Sequence, residues 1–124
     1  MGHPIIPNRR TMAVLLRAAA EILPDVTRNR MATGTDVHRA LVAAAEGAYP
    51  DITGVPLHRL VDACGHELIT RLVDTDRVRR VSVEPTWPHL GQYTRGRGLS
   101  DVVDLMTEVA ARIDPDQGDW GRAA

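Results

Sequence analysis

No lysine and no phenylalanine occur in this chain, and cysteine occurs once. Without lysine there is no amine for a Schiff base and no P-loop. All 15 basic residues are arginines, which stay charged at any relevant pH. A single cysteine, Cys64, permits no intramolecular disulfide and no multi-cysteine metal site, and it fits a reducing compartment. Aromatic residues make up only 3%. The core must therefore come from Ala, Leu, Val, Ile and Met, a composition that favours helices packed closely on helices. The net charge is −1, so no global field steers the protein to nucleic acid or to a membrane surface. No apolar stretch approaches the roughly 20 residues of a membrane span. The opening residues lack the charged start and apolar run of a signal peptide. The expectation is a cytoplasmic protein with no membrane partner.

What remains is ordinary for one globular domain: 124 residues, 44% hydrophobic and 25% charged. Residues 1–8, with Pro4 and Pro7, read as an extended arm, 9–114 as a single helical domain, and 115–124 as a flexible tail. Met12, Leu15, Leu16, Ala19, Ile22 and Leu23 recur at helical spacing, predicting a helix over 9–23 with Asn8 as N-cap and Pro24 as terminator. A second helix is expected over 36–46, capped by Thr35, with Val37, Ala40, Leu41 and Ala44 inward and Gly47 and Pro50 as stop signals. The third runs from Pro56 to Val73 on the stripe Leu57, Leu60, Val61, Cys64, Leu68 and Leu72. Gly65, in its interior, costs about 1 kcal/mol relative to Ala and marks a candidate close crossing. The fourth runs over 101–113, capped by Ser100, with Val102, Met106, Val109, Ala110 and Ile113 inward and Asp101 and Asp104 at the positive end of its dipole.

Between the third and fourth helices, Val81 and Val83 alternate with polar residues and predict a short strand over 78–84. The following 85–99 stretch, PTWPHLGQYTRGRGL, reads as loop because of its two prolines and three glycines. The expected fold is all-α: a four-helix orthogonal or bundle-like domain with this long Arg-, Pro- and Gly-rich loop strapped across it. Charge is segregated along the chain. Residues 1–31 and 77–98 are basic, 32–76 and 99–124 acidic, and 77–98 holds five arginines against one glutamate.

Three constellations qualify as candidate chemistry. Arg77, Arg79 and Arg80 with Trp87 and Tyr93 combine cations and aromatics, as single-stranded nucleic-acid sites do. Tyr93-Thr94-Arg95-Gly96-Arg97-Gly98 offers two arginines able to clamp a phosphate or carboxylate, on a glycine-rich backbone. Its spacing matches neither a P-loop nor a dinucleotide fingerprint. His58, Asp62 and His66 lie at i, i+4 and i+8 on one helix edge, where neighbours share a metal only with help from His89 or Glu67. The simpler reading of each is structural: a flexible turn, arginines meeting acidic faces under Trp87, and a solvated helix edge. Cys64 sits on the apolar stripe and reads as a core residue. Helix–turn–helix DNA binding is excluded by the long 47–55 connection. No motif calls for a cofactor.

Three segments resemble a family of small, uncharacterised helical proteins of actinobacteria and their phages: VLLRAAAEIL at 14–23, DVHRALVAAAEG at 36–47 and LSDVVDLMTEVAARI at 99–113. The resemblance implies a helical fold and assigns no catalytic residue. The sequence thus leads to a non-enzymatic accessory or regulatory protein that binds a protein partner, a second copy of itself included. The alternatives are a nucleic-acid-binding module using the arginines of 77–97, and a small metal protein or enzyme using His58, Asp62 and His66.

Overall fold

A computed structural model describes residues 8–27, 32–78, 86–95 and 97–114. Among them are five helices and no strand: α1 (Arg9–Val26), α2 (Gly34–Ala48), α3 (Gly54–Asp74), α4 (Thr86–Thr94) and α5 (Leu99–Ile113). The all-α class holds, with one helix more than the apolar periodicity indicated. The strand expected over 78–84 falls, apart from Val78, outside the described residues, as do the arm before Asn8 and the tail after Asp114. None of the described helices is long and apolar enough to cross a membrane.

Helix α1 is the organising element, packing most extensively on α5 and on α2. Its Ala13, Leu15, Leu16, Ala19 and Leu23 are fully buried. Helices α2, α3 and α4 all touch one another, and α3 also reaches α1 and α5. The inward stripes read from the sequence for α2 and α3 are buried throughout, whereas Ile22 of α1 and Ile113 of α5 are only partly buried against the core. The core also takes in Ile52, Leu90, Tyr93 and Leu105.

The helix ends depart from the sequence expectations for local reasons. Asn8 does cap α1, in a reciprocal box with Thr11. Pro24, however, lies inside α1. Its exposed ring costs the helix an N–H, but the turn beyond it is closed by Thr27, whose N–H and hydroxyl both donate to the Leu23 carbonyl at 3.1 and 2.7 Å. Thr33, not Thr35, caps α2, because only Thr33 stands three residues before Asp36 and so completes a capping box with it. Helix α3 starts at Gly54, two residues before Pro56, with Gly54 at φ +64°, a backbone conformation that glycine adopts without strain. The N-cap of α5 is Gly98, and Ser100 lies inside the first turn.

The largest departure is α4, in a stretch read as loop. Pro88 is its third residue, within the first turn, where backbone N–H groups have no intrahelical acceptor. Trp87, Leu90 and Tyr93 then fall at helical spacing, with Leu90 and Tyr93 buried and Trp87 partly buried against the core. A close helix approach lies here. A Cβ added to Gly34 would sit 2.8 Å from the Trp87 carbonyl oxygen and 3.1 Å from the Gly91 nitrogen. Gly34 thus lets the start of α2 rest on the α4 backbone.

Two stability predictions follow from this packing. Gly34→Ala pushes α4 off α2 and destabilises the protein by about 2 kcal/mol, the usual scale of overpacking, measured by urea unfolding. Cys64 is buried, its thiol donating weakly to the Met12 carbonyl oxygen at 3.9 Å, and burial followed by the Glu67 charge pushes its pKa up from 9.0 to about 12. The unfolded thiol ionises from its ordinary value, so stability falls as pH rises above about 9. Below that pH, alkylation of Cys64 by iodoacetamide proceeds only as fast as the protein opens.

Candidate functional site

The ends of α3 and α4 build a cleft on this frame. Helix α3 ends in a Schellman turn: Asp76, at φ 56°, takes the left-handed position, Asp76 N–H donates to the Val73 carbonyl, and Arg77 N–H donates to the Leu72 carbonyl at 2.8 Å. That reversal carries Arg77 and Val78 away from the helix axis. At the other end of the cleft, the buried Thr94 closes α4 by donating its hydroxyl to the Gly91 carbonyl, 2.9 Å away. The chain then turns through Arg95, whose N–H donates to the Gly91 carbonyl, and Arg97, whose N–H donates to the Thr94 carbonyl. The space between is a cavity of about 250 Å³ lined by Arg77, Val78, Gln92, Tyr93, Arg95 and Arg97.

The electrostatics are dominated by guanidinium groups. Arg77 Nε donates to Thr75 Oγ1 at 2.7 Å and its Nη2 to Glu108 Oε2 at 2.6 Å. Arg71 Nε donates to the same Glu108 oxygen. Hydrogen bonds from Arg71 and then Arg77 hold the Glu108 carboxyl below its usual 4.5, against an opposing effect of burial. The same bond raises the Arg77 pKa, and Tyr93 adds to it. Arg97 lies over the Tyr93 ring, 4.7 Å from its centroid, in a cation–π contact. Arg95 is exposed and makes no ion pair among the described residues. Two guanidiniums, Arg71 and Arg77, thus pair with the Glu108 carboxylate, and Arg95 and Arg97 line the cleft beside Arg77. Such a site presents fixed positive charge and N–H donors, the chemistry that binds oxyanions.

Of the residues singled out from the sequence, Arg77, Tyr93, Arg95 and Arg97 meet in this cleft. Arg79 and Arg80 lie outside the described residues. Trp87 does not line the cleft. Its indole N–H donates to Asp62 Oδ1 at 3.1 Å, and its ring meets His38 edge-on at 4.8 Å. Tyr93 is only 6% exposed, with Arg97 over its ring. Trp87 and Tyr93 thus both take part in packing, and only Tyr93 borders the cleft. His58, Asp62 and His66 remain on an exposed edge of α3, with Asp62 serving as the Trp87 acceptor. Among the described residues, no group of three or more His, Cys, Asp or Glu side chains is placed to hold a metal ion.

Gln92, Glu108 and Arg71 were not legible as site residues. Gln92 sat in a stretch read as loop. Glu108 stands 31 residues from Arg77 and 37 from Arg71, so no local pattern joins them.

The clamp makes its own prediction. A carboxyl with a depressed folded pKa stabilises the protein above its ordinary value and loses that contribution as pH falls through the carboxylate range. Glu108→Gln should therefore lower stability at pH 7 by at most about 1 kcal/mol, as for a partly exposed ion pair. Denaturant unfolding of both proteins should show the gap closing toward pH 3; an equal gap at both pH values would remove the ion pair as its cause. No family model matches the chain, and no curated protein or solved structure matches it, so a functional reading stands on the geometry of the cleft.

Proposed function

We propose that this protein is a non-enzymatic accessory protein that works by binding, and that the cleft of Arg77, Arg95 and Arg97 is its working surface, closing on an anionic group presented by its partner. The observation that carries this reading is the convergence of three arginines from two separate helix ends on one cavity. Like charges gather at a cost, and a bound oxyanion offsets it. Binding is favoured over catalysis by the chemistry of these groups. Arginine does not give up its proton in proteins, and Glu108, held below its ordinary pKa by two guanidiniums, stays ionised near neutrality. Proton transfer needs a group whose pKa lies near the working pH.

The test is an NMR titration of the ¹⁵N-labelled protein at low salt with pyrophosphate and, separately, glutarate. Shifts are expected at Gln92, Tyr93, Arg95 and Arg97 with at least one of the two anions. Added NaCl should weaken them, and the Arg95→Ala, Arg97→Ala double variant should lose them. Shifts scattered over the surface, or none with either anion, would sink the reading.

A further inference from the structure

We infer that the cleft takes a phosphate monoester, and that Glu108 is a resident counter-anion which the phosphate displaces from Arg77. This rests on the anion-binding reading above and adds the class of anion and the way it is selected. Arg77 has five N–H donors. Thr75 Oγ1 and Glu108 Oε2 take one each, and Tyr93 acts on the same guanidinium. A ligand that approaches Arg77 therefore meets a carboxylate already in place.

That arrangement selects by charge. An incoming carboxylate or phosphodiester carries one negative charge, so it offers Arg77 nothing that Glu108 does not already supply within the fold. It also bears the entropy cost of association, which Glu108 does not. A phosphate monoester carries close to two charges at neutral pH and three acceptor oxygens. It has an oxygen for each of Arg77, Arg95 and Arg97. Among the described residues neither Arg95 nor Arg97 makes an ion pair, and Arg97 lies over the Tyr93 ring. Arg71 keeps Glu108 paired once Arg77 turns to the ligand, because both arginines share the same carboxylate oxygen. The carboxylate is thus never stranded. The cavity of about 250 Å³ lies below the roughly 300–1,000 Å³ of pockets that enclose drug-sized ligands, and it suits a phosphate with a short attachment.

Calorimetric titration of the full chain at pH 7.5 and low salt, with inorganic phosphate, phenyl phosphate, dimethyl phosphate and acetate, tests this. Phosphate and phenyl phosphate should bind at least about tenfold more tightly than the two monoanions. Equal affinity for the first two assigns free phosphate as the ligand, and a clear preference for phenyl phosphate assigns an ester. Lowering the pH to 5.5 protonates the monoester, whose second pKa is about 6, and should weaken phenyl phosphate binding while dimethyl phosphate stays unchanged. Glu108→Gln, checked for folding by circular dichroism, should tighten dimethyl phosphate binding and bring the two classes to within about threefold, the selection against monoanions being lost with the charge. If that variant does not fold, the pH comparison in the unaltered protein decides. Wild-type binding of dimethyl phosphate or acetate as tight as that of phenyl phosphate overturns this inference and leaves anion binding standing. Binding of none of the four overturns this inference, and overturns the anion-binding reading as well when pyrophosphate and glutarate also fail to bind.

Discussion

A core without phenylalanine has little bulk with which to hold helices apart, and close helix approach is the constraint from which the rest of this structure follows. Ala13, Ala19, Ala40, Ala45 and Ala110 are fully buried. Interiors are packed to near-crystalline density, so small side chains must be matched by short interhelical distances. Helix α1 meets this by lying against both α2 and α5. Gly34 is the extreme case, since not even a methyl group fits between the start of α2 and the α4 backbone. Tyr93 at the far end of α4, with Arg95 and Arg97 just beyond it, meets Arg77, three residues past the end of α3.

The cleft therefore depends on packing that lies away from it. Trp87 holds the first turn of α4 through Asp62 and His38, Tyr93 is buried beneath Arg97, and Thr94 closes the last turn. On the opposite wall, the Schellman turn at Asp76 sets the direction of Arg77, and Glu108 reaches across from α5 to tie down Arg71 and Arg77 together. Five anchors thus hold the helix ends from which Arg77, Arg95 and Arg97 extend.

How much was legible in the sequence differs by element. Val37, Ala40, Leu41 and Ala44, or Leu57 through Leu72, repeat at helical spacing over several turns, and their burial follows from that period alone. The ends were less legible. Thr33 and Thr35 are both good caps by residue type, and only the pairing with Asp36 separates them. Pro24 is a helix breaker by propensity, yet an exposed final turn closed by Thr27 accommodates it. Helix α4 was hidden by its proline and glycine, although Trp87, Leu90 and Tyr93 carried the helical period in plain view. Proline in a first turn and glycine at a close approach are both compatible with helix, which residue-type counting does not register. In the site, arginine content near 77–97 was visible, whereas the loss of Trp87 to α3 and the arrival of Glu108 were not.

By itself, the sequence determined the class of structure and the kind of charge available. Periodic Leu, Val and Ala stripes require helices with one buried face, and in a chain without lysine the permanent positive charge of its side chains is all guanidinium. Only the tertiary structure decided which arginines act together, which aromatic rings are used up in packing, and which carboxylate stands among them. Helical periodicity is a property of neighbours in the chain, and it survives in any arrangement of the helices. The cleft lined by Arg77, Arg95 and Arg97, and the pairing of Arg77 with Glu108, join residues that only the packing of α3 on α4 and on α5 brings together.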